Sequence, residues 1–258
     1  MSSLRPWVAL SLFAALTLPL MPVQQLLIRF WPRMARVFPM HYHRLVCRVL
    51  GVRVEVLGEV PRQGPLLIAS NHVSWLDIVV LSSLAPLSFV AKEEVAGWPL
   101  FGSLARLQRT IFVDRQRRHA AGGGRDAMQQ RLRAGDILVL FAEGTSGDGR
   151  SVLPFKSSFF GAAELPGVRV QPLTIAYRSH RNLPMNRRLL PSYAWYGDME
   201  LVPHLLGGLR SGPIEVMVVC HPPLEVTQCS SRKDMARQAE EQVRRGLAVA
   251  LHDPGKIG

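Results

Sequence analysis

The sequence has little of what sulfur, metal or nucleotide chemistry requires. Its three cysteines, Cys47, Cys220 and Cys229, are odd in number and unevenly spaced. That excludes a fully paired disulfide framework and a CxxC metal site, and it points to a reducing compartment. Cys220 closes the apolar run Val216-Met217-Val218-Val219 and reads as a small buried hydrophobe. There is no HExxH and no GxSxG nucleophile elbow. Gly122-Gly123-Gly124 lacks the GxxxxGK[ST] and GxGxxG spacings of phosphate loops, so it is read as a flexible turn or a frayed helix start. No internal repeat is present, and no composition break is long enough to be a linker. Acidic residues are few: 19 Asp and Glu against 31 Lys and Arg give a formal charge of +12. Such a surface attracts acidic carrier proteins, anionic headgroups or nucleic acid. The basic residues are scattered, with no zinc-finger spacing, no aromatic strand motif and no basic zipper, which argues against nucleic acid.

What is present is apolar. With 258 residues, 48% of them hydrophobic, the chain fits one α/β domain of ordinary size plus an appendage. The appendage is residues 1–50. Trp7 to Leu27 is strongly apolar, but Pro19 and Pro22 interrupt it and Gln24 and Gln25 dilute its end, so it reads as a poor straight span. Arg5 precedes it as in a signal peptide, yet no small-x-small cleavage site follows. A hairpin or interfacial anchor is the preferred reading, with Arg29, Arg33, Arg36, Arg44 and Arg48 meeting anionic headgroups. A single transmembrane helix is the alternative.

Residues 51–258 form the second unit. Strands are predicted at Val52–Val56, Leu66–Ala69, Ser88–Ala91, Thr110–Val113, Ile137–Phe141, Val168–Ala176 and Ile214–Val219. The clearest helices run from Arg118 to Arg133, stopped by Gly135, and from Ser231 to Leu251. Alternating strands and helices imply a mixed, mostly parallel sheet covered by helices. In such sheets chemistry gathers in loops after the carboxyl ends of strands. Three polar clusters sit there: 70–77, 114–118 and 142–150.

His72 follows a strand directly and lies five residues before Asp77. On a regular helix that offset turns two side chains roughly 140° apart, so the pair meets only if the helix starts irregularly, with Ser70 or Asn71 near the cap. If they meet, Asp77 fixes the tautomer and His72 is free to take a proton from a hydroxyl. Those are two members of a triad whose nucleophile the substrate supplies.

Other segments match a known pattern in order. Asn71-His72 through Asp77 resembles the first motif, NHxSxxD, of the lysophospholipid acyltransferase family. Ile111-Phe112-Val113-Asp114-Arg115 resembles its second motif and Phe141-Ala142-Glu143-Gly144-Thr145 its third. Pro154-Phe155-Lys156 is similar to the lysine segment that follows, and Val170-Gln171-Pro172-Leu173 to the fourth motif. The likeness covers residues 66–177. It implies a glycerolipid acyltransferase domain with an N-terminal apolar helical membrane anchor. It also implies His72 as general base held by Asp77, with Asp114, Arg115, Glu143, Gly144, Thr145 and Lys156 around the substrates. Arg115 would clamp an anion, and Glu143 would bind an acceptor hydroxyl or order the pocket. No metal or cofactor is implied; acyl-CoA or acyl carrier protein is co-substrate. Backbone N–H groups near the Gly144 turn or the helix after His72 are candidates for the oxyanion.

Two departures bear on the acceptor. Arg109 stands where the family often has glycine, and Ser146 stands where many lysophosphatidate enzymes carry a phosphate-holding arginine. Arg115, Lys156 or Arg150 could compensate. The resemblance therefore implies sn-2 acylation of 1-acyl-glycerol-3-phosphate to phosphatidic acid, at the cytoplasmic face of an inner membrane, with lyso-ornithine lipid as the alternative acceptor or a second one. A non-catalytic lipid-binding membrane module is the reading from another class, and a thioester hydrolase a weaker one. Trp195-Tyr196-Gly197-Asp198 could line a lipid channel, although core packing is the commoner role. His204 and His221, without an evident partner in sequence, are read as structural.

Overall fold

The computed structural model describes residues 4–114 and 120–252. Two helices come first, α1 (Arg5–Phe30) and α2 (Pro32–Leu50). Pro6 and Pro32 open them, where a missing N–H costs nothing. Trp31, at φ −134° and ψ 69°, breaks the chain between them, and Gly51, at φ 73°, closes α2 in the left-handed cap that glycine adopts without strain. They pack antiparallel: Thr17 hydroxyl meets Tyr42 hydroxyl at 2.7 Å, and Gln24 Nε2 donates to Ala35 O at 3.0 Å. Residues 5–50 thus form a helical hairpin. Pro19 and Pro22 do not interrupt it, since α1 continues through both. Its stretch Pro6–Phe30 is long and apolar enough to cross a membrane. Two of its basic residues also make contacts within the protein: Arg36 pairs with Asp136 at 3.2 Å and Arg44 Nε donates to Ser83 O at 2.8 Å. Both fasten the hairpin to the rest of the molecule.

The remaining elements are β1 (Val52–Leu57), β2 (Leu66–Ser70), α3 (Leu76–Leu84), β3 (Leu87–Lys92), α4 (Phe101–Leu107), β4 (Ile111–Val113), α5 (Ala120–Arg133), β5 (Ile137–Phe141), β6 (Arg169–His180), β7 (Leu183–Pro184), α6 (Leu201–Ser211), β8 (Ile214–Cys220), β9 (Leu224–Glu225) and α7 (Arg232–His252). The main path of the sheet runs β1-β8-β6-β2-β5-β3-β4, with β7 and β9 pairing to β6. From β6 to β4 the neighbours are parallel; β8 runs antiparallel to β6 and carries β1 parallel to itself. Every residue of β2 and β5 is buried, as strands covered on both faces must be. Alternate residues divide the core. Leu67, Leu138 and Leu140 pack with Met128 of α5 and Val243 of α7, whereas Ile68, Val139 and Phe141 pack with Val80 of α3 and Cys47 of α2.

The glycine run is helical, within α5. A Cβ on Gly124 would come within 2.7 Å of Val113 Cγ1, so its bareness lets α5 lie close to β4. Gly135 stops α5 as expected, at φ 77°. Arg109 also has positive φ, 61°, which explains why glycine suits this position. Its guanidinium repays the strain by reaching Asp136 Oδ2 at 2.9 Å. The segments after β2, β4 and β5 all leave the same edge of the sheet.

Candidate active site

Between β2 and α3 the chain is not helical from Asn71 to Ser74. The Asn71 amide bridges to β6, donating to Ile175 O at 2.9 Å and accepting from Ile175 N at 2.8 Å. Ser70 and Asn71 are therefore not helix caps; α3 is preceded by Trp75, whose side chain makes no cap bond. Asp77 turns the chain instead. Its Oδ2 accepts the N–H groups of Val73 at 2.7 Å and Ser74 at 2.9 Å. Because His72 stands outside the helix, the angular objection to the pair disappears. His72 Nδ1 meets the same Oδ2 at 2.8 Å.

Every side-chain contact of Asp77 treats it as an acceptor, so His72 donates from Nδ1, which leaves Nε2 as the ring nitrogen able to take a proton. The ring stacks on Phe141, centroids 3.9 Å apart and planes at 15°. Asp77 is fully buried, and its other oxygen, Oδ1, accepts the Tyr177 hydroxyl at 2.7 Å. Burial, then the nearby Asp77 charge, push the Tyr177 phenol well above the ordinary tyrosine range, which keeps it a donor. Nothing in the sequence singled out Tyr177.

Glu143 does not reach into open space. It is buried, with Oε2 accepting His72 N–H at 3.2 Å and Oε1 accepting Leu153 N–H at 3.0 Å. Of the two roles expected for it, ordering the pocket is the one this geometry serves. Burial pushes its carboxyl up to about 8, against the two backbone donors that lower it. Gly147 N–H donates to His72 O at 2.8 Å, so the third-motif loop grips the histidine peptide on both sides. Gly144 turns at φ 77° and its N–H donates to Phe141 O at 3.1 Å; that N–H is not available to an oxyanion.

A cavity of ≈ 950 Å³ opens onto His72. Gly144, Thr145 and Ser146 line it from the third-motif loop; Leu10, Phe13 and Leu20 wall it from α1; Trp195, Tyr196 and Gly197 line it as the channel reading expected. Lys156 is exposed and does not line it; its N–H donates to Ala142 O at 2.8 Å. Asp114 follows β4, half-buried and outside the lining. Arg115 lies outside the described residues. His204 and His221 do have partners: His204 accepts from Trp75 Nε1 at 3.3 Å and His221 Nε2 meets Thr174 Oγ1 at 2.8 Å, burial pushing His221 down to about 4. Among the described residues no group of three His, Cys, Asp or Glu could hold a metal ion.

Chemically, the arrangement can take a proton from a hydroxyl at the end of an apolar cavity. Residues 51–176 match the family described as Acyltransferase. The chain is 44% identical over 256 residues to a lyso-ornithine lipid O-acyltransferase of Brucella abortus, covering 96% of each, and equally identical to one of Rhizobium meliloti, covering 95% of this chain and 88% of that one. A 1-acyl-sn-glycerol-3-phosphate acyltransferase of Neisseria meningitidis is 29% identical over 80% of this chain and 78% of its own. In fold, the chain is similar to the crystal structure of the 1-acyl-sn-glycerophosphate acyltransferase of Thermotoga maritima. The TM-score is 0.68 at 23% identity, covering 96% of this chain and 97% of that one.

Proposed function

Since this chain belongs to the acyltransferase family, we propose that it transfers a fatty acyl group from a thioester donor to a hydroxyl of lyso-ornithine lipid, with His72 as general base. The observation that carries the acceptor is the 44% identity to lyso-ornithine lipid O-acyltransferases along nearly the whole chain, against 29% to the lysophosphatidate enzyme. The order of acceptors drawn from motifs alone is thereby reversed. Ser146 supports the reversal: it lines the cavity where a phosphomonoester would call for a guanidinium. An ornithine headgroup carries no phosphate.

The step balances without a protein nucleophile. Nε2 of His72 takes the acceptor's O–H proton as that oxygen adds to the thioester carbonyl. The tetrahedral intermediate expels the thiolate, which recovers the proton from the imidazolium, leaving an ester and a free thiol. Asp77 holds the ring at Nδ1 throughout. A thioester is already activated, so placing the two substrates side by side supplies much of the rate, and the base adds about 10²- to 10⁴-fold. Acyl-CoA or acyl carrier protein would be donor, and α1 would hold the protein on the cytoplasmic face of the membrane, where such donors are found.

The test is an acceptor panel. Membranes carrying the protein receive labelled acyl-CoA or acyl carrier protein with lyso-ornithine lipid or 1-acyl-glycerol-3-phosphate, and diacyl product is counted. Product with lyso-ornithine lipid is expected. Product only with the glycerophosphate would sink the acceptor assignment, and none with either would sink the activity.

A further inference from the structure

β2 ends at Ser70, paired with Leu173, while β6 continues to His180. The second half of β6 therefore passes beneath the loop that carries His72. The Asn71 amide fixes its height by gripping the Ile175 peptide. Two residues further, on the same side of the strand, Tyr177 is 1% exposed and its hydroxyl donates to Asp77 Oδ1 at 2.7 Å. The division of labour on this carboxylate is unequal. Oδ2 takes His72 Nδ1–H and two backbone N–H groups, and among the described residues Oδ1 has Tyr177 as its donor.

We propose that Tyr177 is a positioning residue of the acyl transfer: by donating to Asp77 Oδ1 it fixes the plane of the carboxylate and moderates how strongly Oδ2 accepts from His72. The role rests on the reading of His72 as general base. A carboxylate turns easily about its last torsion, and the backbone donors hold only one of its oxygens. A hydrogen bond on one oxygen draws charge from the other, so loss of the phenol O–H makes Oδ2 the stronger acceptor. It also leaves Oδ1 buried and unpaired, since Asp77 is fully buried. The titratable groups facing Asp77 are His72 from its own loop, Tyr177 from β6 and, by charge alone, Glu143 from the loop after β5. Among the described residues no lysine or arginine pairs with it, so no cation masks a change at Tyr177.

The experiment compares wild type, Tyr177→Phe, Asp77→Asn and the double variant, as the full chain in detergent, with acyl donor and lyso-lipid acceptor. Tyr177→Phe should lower kcat about tenfold with KM for both substrates held within about twofold, the signature of an interaction that matters in the transition state. The acid limb of its kcat–pH profile should move to higher pH, because the imidazolium gains a stronger partner. On the Asp77→Asn background the same change should cost less than about twofold, since the two groups act as one unit. Equal losses on both backgrounds, an unmoved limb, or an unchanged kcat would overturn the role. Should Tyr177→Phe fail to fold, 3-fluorotyrosine at position 177 keeps ring and hydroxyl while donating more strongly. Its acid limb should move to lower pH, and an unmoved limb would again overturn the role. A wild-type protein inactive on every acceptor would take down the proposed function and this role together; each result above touches the role alone.

Discussion

Replacing Glu143 by Gln should change how stability responds to pH more than it changes stability at any one pH. Burial raises the Glu143 carboxyl from 4.5 to about 8 in the folded protein. Between those values the folded state holds a proton that the unfolded chain has released, so stability falls as pH rises. The contribution is fully present below about 4.5, is lost progressively up to about 8, and is flat beyond. At about 1.4 kcal/mol per pH unit, the roughly 3.5 units amount to an upper bound of about 5 kcal/mol. Glutamine has nothing to titrate. Its carbonyl can accept one of the N–H groups of His72 and Leu153, but its NH₂ must then face the other, at a cost of about 1–3 kcal/mol. The variant should therefore be the less stable protein at pH 5 and should close the gap, or lead, by pH 9. Urea midpoints in a fixed detergent at pH 5, 7 and 9 give the comparison, and other titrating groups cancel in the difference. Two curves that fall in parallel would refute the reasoning, because Glu143 would then not be holding a proton in the fold.

His72→Ala should reduce acyl transfer by about 10²- to 10⁴-fold in a variant that still folds and associates with membranes; an active variant would refute the base assignment. Asp136→Ala should be strongly destabilising, by about 3–5 kcal/mol, since it strands Arg36, Arg109 and Arg131 around one buried site; chemical denaturation reads it directly. Gly144→Ala forces a β-carbon onto φ 77° and should cost about 1 kcal/mol. It should also lower kcat, because Glu143 and the cavity-lining Thr145 flank it, and kinetics with both substrates would register the loss.

The sheet was legible because its central strands are unbroken apolar runs bounded by turn residues, and Ile137–Phe141 needed no adjustment. His72 and Asp77 were legible through their spacing and company, although the cap expected at Ser70 or Asn71 was misplaced. Short polar side chains read equally well as caps or as bridges to a distant strand. Asn71 is the second kind, and a partner 104 residues away leaves no local trace. Tyr177 was silent for the same reason: inside a strand buried along most of its length, a tyrosine looks like any large core residue. The inward face of α1 was hidden differently. Leu10, Phe13, Thr17, Leu20 and Gln24 repeat at helical spacing toward the cavity, but Val8, Leu12 and Leu26 on the outside are apolar too. With both faces apolar, no amphipathic period shows. The buried Thr17 and Gln24 were the available signal, and Gln24 read instead as dilution.

That same helix is apolar on both faces. Its outer residues, about half exposed, are suited to lipid, and its inner residues are one wall of the reaction chamber. On the proposed membrane placement, a partition one helix thick, about 10 Å, would separate the bilayer from the cavity that His72 lines. Under the proposed function, an enzyme built this way would draw its acceptor from a two-dimensional reservoir. Its rate then follows the mole fraction of lyso-lipid in the membrane rather than the amount per volume, and diluting the acceptor with inert lipid slows it even when nothing else changes.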